Sequence, residues 1–101
     1  MTFADILKTL PEAAGEKLVL TDAAGAEVAT IANAPGTAGS FRVYAYLAQK
    51  YGAIDAEAAA EGLAIYAEHA QDASAHPGKH PNIDRLLALM LDGRPLTARI
   101  L

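Results

Sequence analysis

Prolines and glycines set the length of every element this chain can form. Pro11, the pair Pro35-Gly36, Gly52, the run Pro77-Gly78 with Pro81, and Gly93 interrupt it at short intervals. Proline cannot continue a helix beyond its first turn, and glycine readily adopts the left-handed conformation that ends one. The chain must therefore fold as several short pieces, and the residues between the breaks identify each piece.

In "TFADILKTLP", Phe3, Ile6, Leu7 and Leu10 recur at i, i+3, i+4 and i+7, with Thr2 placed to cap and Pro11 to stop a short amphipathic helix. "EKLVLTDAAGAEVATIAN" reads as two strands, Lys17 to Thr21 and Glu27 to Ala32, joined by a turn on Asp22 and Gly25. Its alternation is imperfect, because Val19 sits between Leu18 and Leu20. Ser40 then caps a second helix over Phe41 to Tyr51, with Phe41, Tyr44, Leu47 and Ala48 at helical spacing and Gly52 at its end. From Asp55 no proline occurs before Pro77, which predicts one long third helix with Glu57 and Glu61 near its positive end. Asn82 caps a fourth, with Ile83, Leu86, Leu87 and Met90 on one side and Gly93 closing it. The tail "PLTARIL" alternates as a strand.

These elements predict an α+β fold in a single domain over residues 1–101: about four helices packed on a small three-stranded sheet, the N-terminal-half hairpin plus a C-terminal strand. Of the 52% hydrophobic residues, the 24 alanines fill little volume, so the core is moderate and its helices pack at close range.

Composition narrows the function classes. With 8 Lys plus Arg against 12 Asp plus Glu, the net charge of -4 provides no basic stripe for phosphate backbones, so nucleic acid is not an expected partner. The absence of cysteine removes disulfides, thiolate catalysis and cysteine-held metals. "MTFADILKTLPEAAGEK" has early acids and no apolar core of a secretory signal, and no run of about 18 apolar residues could span a bilayer. A cytoplasmic protein without membrane contact and without a cofactor is the expectation.

Three places could carry chemistry. Every histidine falls in "EHAQDASAHPGKHPNIDR". On one helix, His69, Asp72 and His76 would share a stripe and could bind a metal or orient a base. A zinc site needs a third or fourth ligand at about 2.0 to 2.2 Å, and H-x6-H-x3-H is no established zinc spacing; histidines complementing a helix C-terminus explain the same pattern. The second place is "APGTAGSFR", where Gly36 and Gly39 admit close backbone approach, Ser40 and free amides can donate, and Arg42 brings charge: a small-anion cradle, though neither a Walker loop nor a dinucleotide turn. The third, "KHPNIDR", sets Lys79, His80 and Arg85 around a helix start that Asn82 and Asp84 suffice to cap. Should the two loops adjoin, Lys79 and His80 would join Gly36, Gly39, Ser40 and Arg42, and Arg42 could meet Asp84.

"NAPGTAGSFRVY" and "AHPGKHPNIDRL" resemble the corresponding segments of a family of roughly hundred-residue bacterial proteins, a domain of unknown function. The resemblance runs nearly end to end. It implies a small single-domain bacterial protein and supplies no catalytic residues. The leading expectation is thus a small binding or adaptor module acting through a protein partner or self-association as a homodimer, with "LTARIL" as a candidate sheet edge. The alternative is a small-anion (phosphate or carboxylate) binding protein or minor enzyme centred on the PGTAGSFR loop.

Overall fold

The structure is a computed structural model that describes residues 1–101. Its elements in chain order are α1 (Phe3–Leu7), β1 (Lys17–Thr21), β2 (Glu27–Ala32), α2 (Ala38–Tyr51), α3 (Ala56–Tyr66), α4 (Glu68–Ala75), α5 (Pro81–Asp92) and β3 (Thr97–Ile100). The fold is α+β, with an antiparallel sheet in the order β2-β1-β3.

The central place of β1 accounts for its unbroken apolar run. Leu18 and Leu20 face the helices and join the main core, whereas Val19 points to the other face, in register with Thr30 on one side and Arg99 on the other. All three are buried, because a strand with two neighbours is shielded on both faces. The β1–β2 turn is built as expected: the Asp22 carboxylate accepts the amides of Ala24 and Ala26, each at 2.9 Å, and Gly25 supplies φ 86. A register shift at Leu20/Thr21 leaves Val28 unmatched and exposed. The C-terminal strand pairs with β1, and Leu101 extends the ladder by donating to Lys17 O at 2.9 Å and accepting from Glu16 N at 2.7 Å.

Helix α2 packs on the sheet and on α3, and α3 packs on α5. Being covered on more than one side, α2 buries Val43 and Ala45 in addition to the expected Phe41, Tyr44 and Leu47. Where α3 crosses, Gly62 is buried between Leu47 and Leu86 with no space for a methyl group: an added Cβ would lie 2.7 Å from Leu86 and 2.9 Å from Leu47. In α5 the buried stripe is Ile83, Leu86 and Leu89; Met90, expected on that side, is exposed.

Three helix boundaries differ from the sequence reading. The long third helix is two, broken at Ala67, whose φ of 51 is the only positive value at a residue other than glycine. Helix α2 begins at Ala38 with Thr37 in the cap position, so Ser40 lies inside its first turn and caps nothing. Helix α5 begins at Pro81 with His80 at the cap position, because the fixed φ of proline suits the first helical residue; Asn82 is therefore inside the helix. The glycine ends hold as expected, with Gly52 at φ 80 and Gly93 in the left-handed region at φ 66.

Candidate functional site

The break at Ala67 turns α4 away from the line of α3 and places its carboxylates to work in two directions. Glu68, its first residue, accepts the amide of Phe3 at 2.7 Å, which holds the Glu68 carboxyl below its ordinary value. Phe3 in turn stacks on Tyr66, with centroids 5.1 Å apart, and meets the His69 ring edge-on at 5.3 Å.

One helical turn on, Asp72 is a hub. Its Oδ2 receives His80 Nε2 at 2.7 Å and Lys79 Nζ at 2.9 Å, while its Oδ1 faces His76 Nδ1 at 3.2 Å. The hydrogen bond from His80, then that from Lys79, holds the Asp72 carboxyl far below the usual carboxylate range. Lys79 and His80, which capping left without a role, thus have a common partner. An ionised carboxylate only accepts, so neutral His80 must carry its proton on Nε2. Its other ring nitrogen, Nδ1, has no protein partner and is an acceptor in the neutral ring.

His80 lines a cleft of about 350 Å³ where the start of α2, the end of α3 and the entry to α5 meet. Gly36, Thr37 and Ser40 form one side, Lys79, His80 and Asn82 another, and Phe3, Tyr66 and His69 complete it. The Ser40 hydroxyl accepts from Tyr66 Oη at 2.8 Å, which leaves its own proton free to donate. Burial pushes the Tyr66 phenol well above its ordinary value, so it stays a donor. The Ser40 and Asn82 amides, each in the first turn of a helix with no side-chain cap, find no protein acceptor. The cleft therefore offers several donors, with His80 Nδ1 among its acceptors.

The two loops do adjoin, but not every residue picked from them takes part. Gly36, Ser40, Lys79 and His80 share the cleft; Gly39 and Arg42 do not. Arg42 sits two residues beyond Ser40, about 200° around the helix, and its Nε donates to Pro11 O at 3.1 Å while Nη2 donates to Leu10 O. It serves the carbonyls that follow α1. Gly39 lies against Phe3 and Leu7. Asp84 accepts from the Gly78 amide at 2.9 Å and staples its own loop, so it does not meet Arg42. No group of three or more His, Asp or Glu side chains is arranged to hold a metal ion, His69, Asp72 and His76 included. The His69 ring packs on Phe3 and, at 5.8 Å, on His80.

Sequence reasoning missed Phe3, Thr37, Tyr66 and Asn82 as cleft residues. Nothing local marks Phe3 or Tyr66, and the break at Ala67 separates Tyr66 from the helix that carries His69.

Two other polar clusters are structural. Arg85 Nη1 donates to Asn82 Oδ1 at 2.9 Å and to Tyr44 Oη at 3.1 Å, and Tyr44 donates to Asn82 O at 2.5 Å. Between α2 and α3, the Glu61 carboxylate accepts from Tyr46 at 2.5 Å, Tyr51 at 2.6 Å and Lys50 at 2.7 Å, which fixes the two helices together. A larger depression of about 460 Å³ along α2 is walled mainly by small and apolar residues, with Glu12 and Tyr46 its only ionisable groups, and offers little to orient a ligand.

No helix is long and apolar enough to cross a membrane. No curated protein and no solved structure matches the chain. A family model, described as an uncharacterized protein conserved in bacteria, matches residues 3–100, nearly the whole length, and the chain accordingly belongs to this bacterial family, DUF2322.

Proposed function

We propose that the cleft between the starts of α2 and α5 binds a small oxyanion. The observation that carries this reading is the meeting of Ser40, Lys79 and His80 in one concavity, from loops far apart in sequence, with uncapped amides of two helices beside them. Hydroxyl, ammonium and amide donors around a cleft suit a phosphate or carboxylate. Asp72 offsets the charge of Lys79 and positions it, so recognition rests on aimed hydrogen bonds more than on net charge. A thermal-shift series with phosphate, sulfate and carboxylates tests the reading. Ligand at 100 times its dissociation constant should stabilise the protein by about 2.7 kcal/mol, and Lys79→Ala or Ser40→Ala should reduce the response. No response to any anion at millimolar concentration would remove the reading.

A second reading, a binding module acting through protein contacts, is favoured by the open edge of β3. Past Leu96, which exchanges hydrogen bonds with Ile54 at 2.8 and 3.0 Å, Thr97–Ile100 has only β1 beside it, and Ile100 and Leu101 are about half exposed. Two copies could join β3 to β3 across a two-fold axis. Light scattering across micromolar concentrations tests it: a strict monomer throughout counts against self-association.

A further inference from the structure

The anion proposed above can be specified by one acceptor in the cleft, the unpartnered Nδ1 of His80. We propose that the site selects an oxyanion that carries its own O–H group, hydrogen phosphate, over equally shaped anions that carry none, with His80 Nδ1 accepting that proton in a hydrogen bond. This rests on the oxyanion reading and adds a selectivity to it.

The chemistry follows from Asp72. Its ionised carboxylate takes the Nε2 proton of His80 and thereby assigns the lone pair to Nδ1. The imidazole is held by this bond and by the His69 ring 5.8 Å away. The charged and titratable groups around it are Asp72 and His69 from α4, Lys79 from the loop, Tyr66 from α3 and Asp84 from α5, the last engaged with the Gly78 amide. Tyr66 donates to Ser40 and Lys79 donates to Asp72, so neither needs the Nδ1 lone pair.

An anion seated among the Ser40 hydroxyl, the Lys79 ammonium and the free amides meets a lone pair at His80. Hydrogen phosphate satisfies both kinds of partner: its charged oxygens accept from the donors and its hydroxyl donates to Nδ1. Sulfate at the same pH has only oxygens to offer and sets lone pair against lone pair. Sites built to bond a ligand hydroxyl reject analogues lacking it by large factors when enclosed; this cleft is open to solvent, so a smaller factor of roughly tenfold is expected, equivalent to about 1.4 kcal/mol.

The test is a calorimetric or NMR titration of the full chain at pH 8 with inorganic phosphate, sulfate and methyl phosphate in turn. At that pH inorganic phosphate retains one O–H, and the phosphate monoester has lost its second proton. Phosphate should bind about tenfold or more tightly than either of the others. Asp72→Asn, which keeps the ring but removes the ionised carboxylate, should narrow the ratio, and His80→Leu should bring phosphate down to the sulfate level with sulfate unchanged. Ring nitrogen shifts of His80 give an independent readout and should report the Nε2–H form in the free protein. Equal binding of phosphate and sulfate, tighter binding of the monoester, an Nδ1–H tautomer, or an unchanged ratio in Asp72→Asn overturns the selectivity. Absence of binding by all three anions overturns the oxyanion reading itself, so the two failures are distinct.

Discussion

The Glu68 carboxylate reaches across the fold to accept the amide of Phe3 at 2.7 Å, from the first residue after the break at Ala67. At φ 51 and ψ -118 an L-residue is strained, whereas glycine adopts such a conformation freely. Ala67→Gly should therefore raise stability by about 1 kcal/mol, measured by urea denaturation. A loss of stability would show that Ala67 carries no strain.

Gly62 predicts the opposite sign. A methyl group there gains up to about 1 kcal/mol of helix propensity but must displace Leu86 and Leu47, both fully buried. Overpacking of this kind costs about 1–3 kcal/mol. Gly62→Ala should be a net loss, seen as a lower urea midpoint with an unchanged slope; a gain would mean that the α3 crossing is looser than described.

Arg42 separates a structural role from a binding one. Its truncation leaves the carbonyls of Leu10 and Pro11 without their donor, so Arg42→Ala should cost about 1–2 kcal/mol. The stabilisation by phosphate, taken as a difference between free and bound Arg42→Ala protein, should persist, while in Lys79→Ala it should fall. Abolition of the response in Arg42→Ala alone would reverse these assignments.

Stability should decline at both ends of the pH range for different reasons. Hydrogen bonds from Lys50, Tyr46 and Tyr51 lower the Glu61 carboxyl from 4.5 to about 2, so its contribution is complete above 4.5 and is lost as pH falls toward 2; Asp72, also lowered, acts in the same direction. Burial raises the Tyr44 phenol from 10.0 to about 12, so its contribution is complete below 10 and is lost as pH rises toward 12, with Tyr66 in the same sense. Denaturation midpoints from pH 2 to 11 check both limbs. Glu61→Gln should flatten the acid limb, and an acid limb that Glu61→Gln leaves unaltered would remove Glu61 from its origin.

What local chemistry fixes was legible, and what distant contacts fix was not. The hairpin strands fall at Lys17–Thr21 and Glu27–Ala32 as read, since Asp22 and Gly25 dictate the turn between them. The break at Ala67 has no proline or glycine to announce it; it serves Phe3, more than sixty residues earlier in the chain. The same division holds in the cleft. Gly36, Ser40, Lys79 and His80, read from loop and helix-start chemistry, all line it, whereas Arg42 turns away from it; the start of α2 at Ala38 rather than Phe41 is not visible in the sequence, nor is the way each side chain turns.

The strand order has a consequence in time. Translation supplies β1 and then its neighbour β2 almost at once, but the opposite edge of β1 waits for β3 until four helices have been made. Through that interval the middle strand of the finished sheet is an edge, with one row of its backbone groups open to any extended chain nearby. The protein's most exposed moment for mispairing is therefore set by its topology, and it ends only when the last strand arrives.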